Sequence, residues 1–150
     1  MLGLVHLQVE NLPQAMEAFK KALELNPDYA DAHHNLGLAL AAAGRWEEAL
    51  KAEQKALAIP TYTNAELAYR SMGWAYYNLD RLAEAENALL QALRLEPTLE
   101  ATHYLLGLVL LKAGRREEAK AAFRRAAEVA PDSVSGLAAR EHLKALEGGR

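Results

Sequence analysis

The side chains that most often perform chemistry in proteins are few in this chain, and they are not spaced for it. The five histidines are His6, His33, His34, His103 and His142. No two of them stand four residues apart, which is the spacing that places two metal ligands on one face of a helix. We therefore predict that the chain has no metal site.

Nucleophiles and phosphate-binding patterns are also lacking. The chain has no cysteine, so it has no disulfide, no thiolate metal ligand and no cysteine nucleophile. Gly-x-Gly and Gly-Lys-Ser patterns, which cradle phosphate groups, do not occur. The serines Ser71, Ser133 and Ser135 have no evident base beside them. These features predict a protein that is not an enzyme and binds no cofactor.

The charged residues argue against nucleic acid as a partner. The net charge is −3, so the chain as a whole does not attract a polyanion. One basic cluster consists of Arg115, Arg116, Lys120, Arg124 and Arg125. Glu117, Glu118 and Glu128 are interleaved with it, which is typical of ion pairs one helical turn apart on a solvated face. The apolar segment Met1–Leu7 is too short to cross a bilayer, so we predict no direct membrane insertion.

A period of about 34 residues predicts the elements that position all these side chains. The recurring positions are Gly3, Gly37, Gly73 and Gly107; Ala15, Ala49, Ala85 and Ala119; Ala22, Ala56, Ala92 and Ala126; and Pro27, Pro60, Pro97 and Pro131. Small residues let two helices approach closely, and proline ends a helix because it lacks an amide donor. The pattern therefore predicts stacked pairs of antiparallel helices.

These positions resemble the tetratricopeptide repeat, a pair of antiparallel helices in 34 residues. Its Leu-Gly step is matched by Leu2-Gly3, Leu36-Gly37, Met72-Gly73 and Leu106-Gly107, and its aromatic position by Phe19 and Phe123. Glu53 departs from the pattern because it stands at the aromatic position of its repeat. The resemblance covers about residues 1–133. It implies an all-α fold, a right-handed α-solenoid of helix pairs with a C-terminal capping helix.

The same frame predicts one domain over residues 1–147. Its parts are a partial repeat (1–29), three repeats (30–63, 66–99 and 100–133) and a capping helix (134–147), followed by a flexible tail (148–150). Asp132 and Ser133 offer oxygens that can cap the last helix, in which Leu137, Leu143 and Leu146 are expected to face inward.

A narrower resemblance concerns the joint after Pro60. Residues 58–69, with Pro60 and Tyr62, are similar to a Pro-Tyr insertion in repeat lipoproteins that assist the assembly of the type IV pilus secretin. The signal peptide and lipidated cysteine of those proteins are absent. Their absence favours a cytoplasmic location, and a periplasmic one is the alternative if the chain is a fragment of such a protein.

The family geometry implies which side chains line the concave groove of the solenoid. They are His34, Leu38, Arg70, Trp74, Tyr77, Asn78, Tyr104, Leu108, Leu111 and Lys112. The lysine and asparagine residues with which some relatives clamp a terminal carboxylate are absent in this register. The resemblance therefore implies a scaffold that binds a peptide or a helix of an unidentified protein through an apolar and aromatic surface. Packing of Trp74 and Tyr77 between successive helices is the alternative.

Self-association is a second functional hypothesis. The repeat frame begins within a helix, which predicts that Met1, Leu2, Val5 and Leu12 face no neighbour at the N-terminal edge. Repeat arrays need a polar cap at each end. Homodimerisation or head-to-tail stacking would bury this edge, unless the chain belongs to a longer array.

Overall fold

The computed structural model describes residues 11–148, and this part of the chain contains eight helices and no strand. The helices are α1 (Leu12–Leu25), α2 (Ala30–Ala42), α3 (Trp46–Leu57), α4 (Ala65–Asn78), α5 (Leu82–Leu95), α6 (Glu100–Lys112), α7 (Arg116–Val129) and α8 (Val134–Gly148). Each helix packs against the next one along the chain. In addition, α2 contacts α4, α4 contacts α6, and α6 contacts α8. The predicted all-α solenoid of helix pairs is thus confirmed.

The same tight turn joins the first and second helices of each repeat. Gly44, Asp80 and Gly114 all have positive φ angles, of 77°, 62° and 81°. The amide after each of them donates to a carbonyl in the preceding helix, as Arg81 does to Tyr76 at 2.9 Å. This left-handed conformation ends many helices and favours glycine, so the first helix of each repeat ends at this turn.

Glycines in the first helices allow the second helices to pack closely. A Cβ atom on Gly73 would lie 2.5 Å from Leu89, and one on Gly107 would lie 2.5 Å from Phe123. Both partners are fully buried. The recurring glycine is therefore a packing requirement of the helix pair.

The last helix packs against one side of the solenoid. The Ser133 hydroxyl accepts a hydrogen bond from the Gly136 amide at 2.9 Å and caps α8, as predicted. Leu146 is buried and Leu143 is partly buried against the core. The prediction for Leu137 is wrong, because this side chain is 50% exposed. Helix α8 packs mainly against α6 and α7, and Leu143 and Leu146, but not Leu137, belong to the core cluster there.

Candidate functional site

The groove, defined as the surface formed by α2, α4 and α6, contains an ordered aromatic group on α4. The rings of Trp74 and Tyr77 stack with their centroids 5.5 Å apart and their planes within 13°. Trp46 meets Trp74 edge-on at 6.4 Å. Although it is held on both sides, Trp74 is still 37% exposed. An indole that is partly exposed and already fixed by its neighbours loses little conformational freedom when a partner binds.

A cation and an anion complete this aromatic group. The Lys112 ammonium lies 4.7 Å from the centroid of the Tyr77 ring and 3.3 Å from a carboxylate oxygen of Asp80. Cation–π contacts of this kind orient a ring and polarise its face. Asn78 is exposed, and its side-chain amide donates to the Trp74 carbonyl at 2.8 Å.

Beside the aromatic group lies a shallow cavity of about 190 Å³. Its walls are Leu38, Ala41, Arg70, Ser71, Trp74 and Leu105. The cavity thus draws side chains from all three first helices, and it brings three of the predicted groove residues together. Leu105 and Ser71 were not predicted as groove residues. Whether they face the groove depends on how each helix is rotated in the stack, and the sequence of one repeat does not determine that rotation.

Arg70 gives the cavity its charge. No carboxylate lies within 4 Å of its guanidinium group among residues 11–148. Partial burial lowers the pKa of Arg70, while the more distant Glu100, Glu53 and Glu66 act in the opposite direction. An arginine remains protonated in proteins, so the cavity contains a partly desolvated positive charge without an ion-pair partner.

His34 is buried beneath the groove rather than exposed in it. The side chain is 8% exposed, and its Nδ1 lies 2.8 Å from Oε1 of Glu53. The prediction of His34 as a surface contact is therefore corrected. The physical reason is Glu53, which is 1% exposed and needs a polar partner where the repeat usually has an aromatic ring.

Glu53 and its neighbours form a polar cluster inside an apolar core. Burial raises the pKa of the Glu53 carboxyl, and the bond from His34 opposes this effect most strongly, ahead of Ser71 and Arg70. The Tyr62 hydroxyl is also buried, and no hydrogen-bond partner for it is found in the described chain. Burial, followed by the charge of Glu53, raises the pKa of Tyr62.

The remaining predicted groove residues lie farther along α6. Leu108 and Leu111 are partly buried against the core. The Tyr104 hydroxyl lies 3.2 Å from Nε2 of His142, whose ring stacks on Phe123 at 4.9 Å. Tyr104 thus joins α6 to α8, and it is not among the residues that line the cavity beside Trp74.

The predicted N-terminal edge is only partly within the described chain. Leu12 is 4% exposed, so its prediction as an uncovered edge residue is wrong. Leu12 and Ala15 are the buried residues of α1, which packs against α2. Met1, Leu2 and Val5 lie outside the described residues.

Sequence profiles establish the family to which the chain belongs. A profile described as "TPR repeat" matches residues 3–44, and two described as "Tetratricopeptide repeat" match residues 30–59, 66–99 and 100–133. The chain is a member of the tetratricopeptide repeat (TPR) family. These matches cover the same helix pairs that form the groove.

Two curated relatives that match this chain are longer than it. It is 32% identical over 126 residues to the type IV pilus assembly protein PilF of Pseudomonas aeruginosa, a match that covers 83% of this chain and 49% of PilF. It is 33% identical over 99 residues to the human protein O-mannosyl-transferase TMTC2, covering 65% of this chain and 12% of that protein. The chain therefore spans half or less of these curated relatives.

Solved structures share the architecture. The structure of P. aeruginosa PilF superposes with a TM-score of 0.82 at 29% identity, over 99% of this chain and 67% of that one. The first TPR domain of Spaghetti (RPAP3) bound to an HSP90 peptide gives a TM-score of 0.71 at 21% identity, over 80% and 91% of the two chains. The latter similarity shows the fold alone. Among residues 11–148, no helix has the length and apolar character needed to span a bilayer.

Proposed function

We propose that this TPR chain is a non-enzymatic scaffold that binds a segment of a partner protein in the groove. The observation that carries the proposal is the cavity, where an unpaired Arg70 lies beside the half-open face of Trp74. Trp, Tyr and Arg are the residue types enriched in interface hot spots. A bound segment would cover the exposed indole and supply a partner for the guanidinium.

The chemistry of the cavity indicates what kind of segment fits. Leu38, Ala41 and Leu105 offer apolar contacts, and apolar burial is the main favourable term in association. The segment is therefore expected to insert an aliphatic or aromatic side chain, in an extended or a helical conformation. This mode of binding differs from that of the relatives that clamp a terminal carboxylate with lysine and asparagine side chains.

A selection from a library of displayed peptides tests the proposal without knowledge of the natural partner. Wild-type protein is the bait, and a variant with Trp74→Ala and Tyr77→Ala removes peptides that bind elsewhere. We expect enriched peptides to share an apolar anchor and to bind the double variant at least about tenfold more weakly, because a hot-spot ring contributes roughly 2 kcal/mol or more. Enrichment that is equal for both baits would refute groove binding.

A matched variant separates binding from folding. Tyr29→Ala removes a ring that is 47% exposed and precedes α2 outside the cavity. It should leave the affinity for a selected peptide unchanged. Circular dichroism of all the variants must show the same helix content, since otherwise the loss of binding reflects unfolding.

Two alternatives rest on other observations. Self-association through Met1, Leu2 and Val5 remains a prediction from sequence. Light scattering tests it, because a dimer would have twice the 16.5 kDa mass and Leu2→Glu should restore the monomer.

The similarity to PilF favours a fragment of a pilus-assembly TPR protein. Restoration of pili in a P. aeruginosa strain that lacks PilF, by this chain joined to a lipoprotein leader, would support that alternative, and failure would count against it.

A further inference from the structure

A second cleft shares no lining residue with the cavity in the groove. It has a volume of about 380 Å³ and is formed by α1, α2 and α3. Its apolar lining consists of Leu23, Leu36, Leu40 and Ala52, and its basic lining of Lys20, Lys51, Lys55 and His33. An apolar floor with lysines on both sides is an unusual surface for a chain whose net charge is −3.

The three lysines of this cleft are exposed, and none has a carboxylate within 4 Å in the described chain. Glu48 also lines the cleft, but both of its oxygens accept hydrogen bonds from Arg45 at 2.7 Å. Lys20 and Lys51 also act on the Glu48 carboxylate from beyond 4 Å. One carboxylate, which already pairs with Arg45, thus faces three lysines, and the lining of the cleft keeps a net positive charge.

The basic cluster on α7 shows the contrast. There, Lys120 pairs with Glu117 at 3.1 Å and Arg124 pairs with Glu147 at 3.3 Å. That cluster is largely compensated by acidic residues of the same molecule. The charge of the cleft between α1 and α3 is instead open to a ligand.

The repeats themselves show that packing does not require these lysines. At the next joint, between α3 and α5, the residues at the corresponding positions are Gln54, Asn87 and Gln91. At that joint α3 packs against α4 and α4 against α5, as α1 packs against α2 and α2 against α3 here. The three corresponding side chains are nevertheless uncharged. A structural role in stacking the helices therefore does not account for Lys20, Lys51 and Lys55.

We propose that this cleft binds an acidic amphipathic helix of a partner protein. Lys51 and Lys55 stand one helical turn apart on α3, so they match carboxylates at the i and i+4 positions of a docked helix. Lys20, which belongs to α1, would pair with a second row of carboxylates on the docked helix. The apolar stripe between the two acidic rows of that helix would contact the leucines of the cleft. Opposite charges steer such a helix to the cleft, and apolar contact holds it there.

This surface is separate from the groove, so the proposal does not depend on the function proposed above. A scaffold with two separate binding surfaces could hold two partners at once. The groove takes an apolar anchor beside one arginine, while the cleft takes an acidic helix over three lysines. The two sites therefore differ in the chemistry that they recognise.

Fluorescence anisotropy with a designed peptide tests the proposal. The probe is a synthetic amphipathic helix of about four turns, with a leucine stripe flanked by glutamates. The variant Lys20→Gln, Lys51→Asn, Lys55→Gln gives this joint the residues of the next one. We expect the variant to bind the peptide at least about tenfold more weakly and with a smaller dependence on salt, since three charge contacts are lost.

Three controls make the test decisive. The variant Lys120→Gln, Arg124→Gln, Lys144→Gln removes the same charge from paired positions, and it should bind like the wild type. A peptide with glutamine in place of glutamate should bind much more weakly to the wild type. Trp74→Ala should have no effect, since the groove is not involved.

Several results would overturn the proposal. They are absence of binding to the wild type, equal binding of the glutamine peptide, and equal loss in the two charge variants. Loss of binding in Trp74→Ala would show that the peptide binds in the groove. Binding to phosphatidylglycerol vesicles without binding to the peptide would assign the cleft to a membrane surface instead.

Discussion

At the scale of single residues, Glu53 is the side chain that departs most from the repeat. It occupies the position where Phe123 and Leu89 fill the core of their own repeats. A carboxylate there is tolerated because His34 supplies a hydrogen bond at 2.8 Å. Ser71 and Arg70, which line the cavity, both act on the Glu53 carboxyl, so this buried acid influences the polarity of the groove.

Glu53 should make the stability of the protein depend on pH. Because burial raises its pKa in the folded state, the stability that it contributes is complete below the pKa of the unfolded chain and is lost as pH rises through the folded pKa. We expect Glu53→Gln, which keeps a polar group of the same size, to gain stability relative to the wild type as pH rises from acid toward neutral.

Urea denaturation of both proteins across this pH range measures the effect. The difference in unfolding free energy between variant and wild type should increase with pH. A difference that instead grows toward acid pH would mean that the pair with His34 lowers the pKa of Glu53. Glu84→Gln is a control, since the pKa of this exposed carboxyl is lowered by Arg81.

Close packing at Gly107 is a second property of single residues. The Cβ of an alanine at this position would lie 2.5 Å from the Phe123 ring, so the ring or the helix must move. We expect Gly107→Ala to cost about 1–3 kcal/mol through overpacking, although alanine favours helices more than glycine does. Combination with Phe123→Leu should recover part of the loss, and full additivity of the two changes in urea denaturation would contradict this explanation.

At the scale of elements, the turns determine where each second helix begins. Gly44 and Gly114 adopt positive φ angles without a side chain, whereas Asp80 adopts one with a side chain. The Asp80 carboxylate also pairs with Lys112, which lies over the Tyr77 ring. The turn in the middle repeat thus contributes to the order of the groove as well as to the chain reversal.

Replacement of Asp80 should separate these two roles. Asp80→Gly removes the strain of a left-handed conformation. We therefore expect the free energy of unfolding, measured by thermal denaturation, to increase by an amount on the order of 1 kcal/mol. Loss of the exposed ion pair offsets little of this gain. Asp80→Ala keeps the strain and loses the pair, so it should be less stable than the glycine variant; equal stability of the two would contradict a role for strain.

The helices were largely predictable from sequence, whereas the side-chain contacts between successive helix pairs were not. The recurring glycine, alanine and proline positions depend on contacts within one helix pair, so they predicted the antiparallel helix pairs, and the repeat frame predicted a last helix that begins at Val134. The pairing of His34 with Glu53 and the exposure of Leu137 depend on how pairs rotate against each other. That rotation is a property of stacking, which no single repeat encodes.

At the scale of the whole molecule, the solenoid displays two chemically different surfaces. The groove places an aromatic stack and an unpaired arginine on the first helices, while the cleft of three lysines lies against second helices. The family geometry predicted a groove because it assigns each position of the repeat to a face, and three of the predicted residues, Leu38, Arg70 and Trp74, line one cavity. It missed the cleft because Lys20 and the pair Lys51 and Lys55 come from different repeats.

Hydrogen–deuterium exchange with a selected peptide tests the central claim, groove binding, most directly. Peptide binding should slow amide exchange in α2, α4 and α6, because the bound segment reduces local opening of the helices that it contacts. The Trp74→Ala and Tyr77→Ala variant should show no such protection at the same peptide concentration. Protection confined to α1 and α3, or unchanged by the variant, would contradict the assignment of the groove as the binding site.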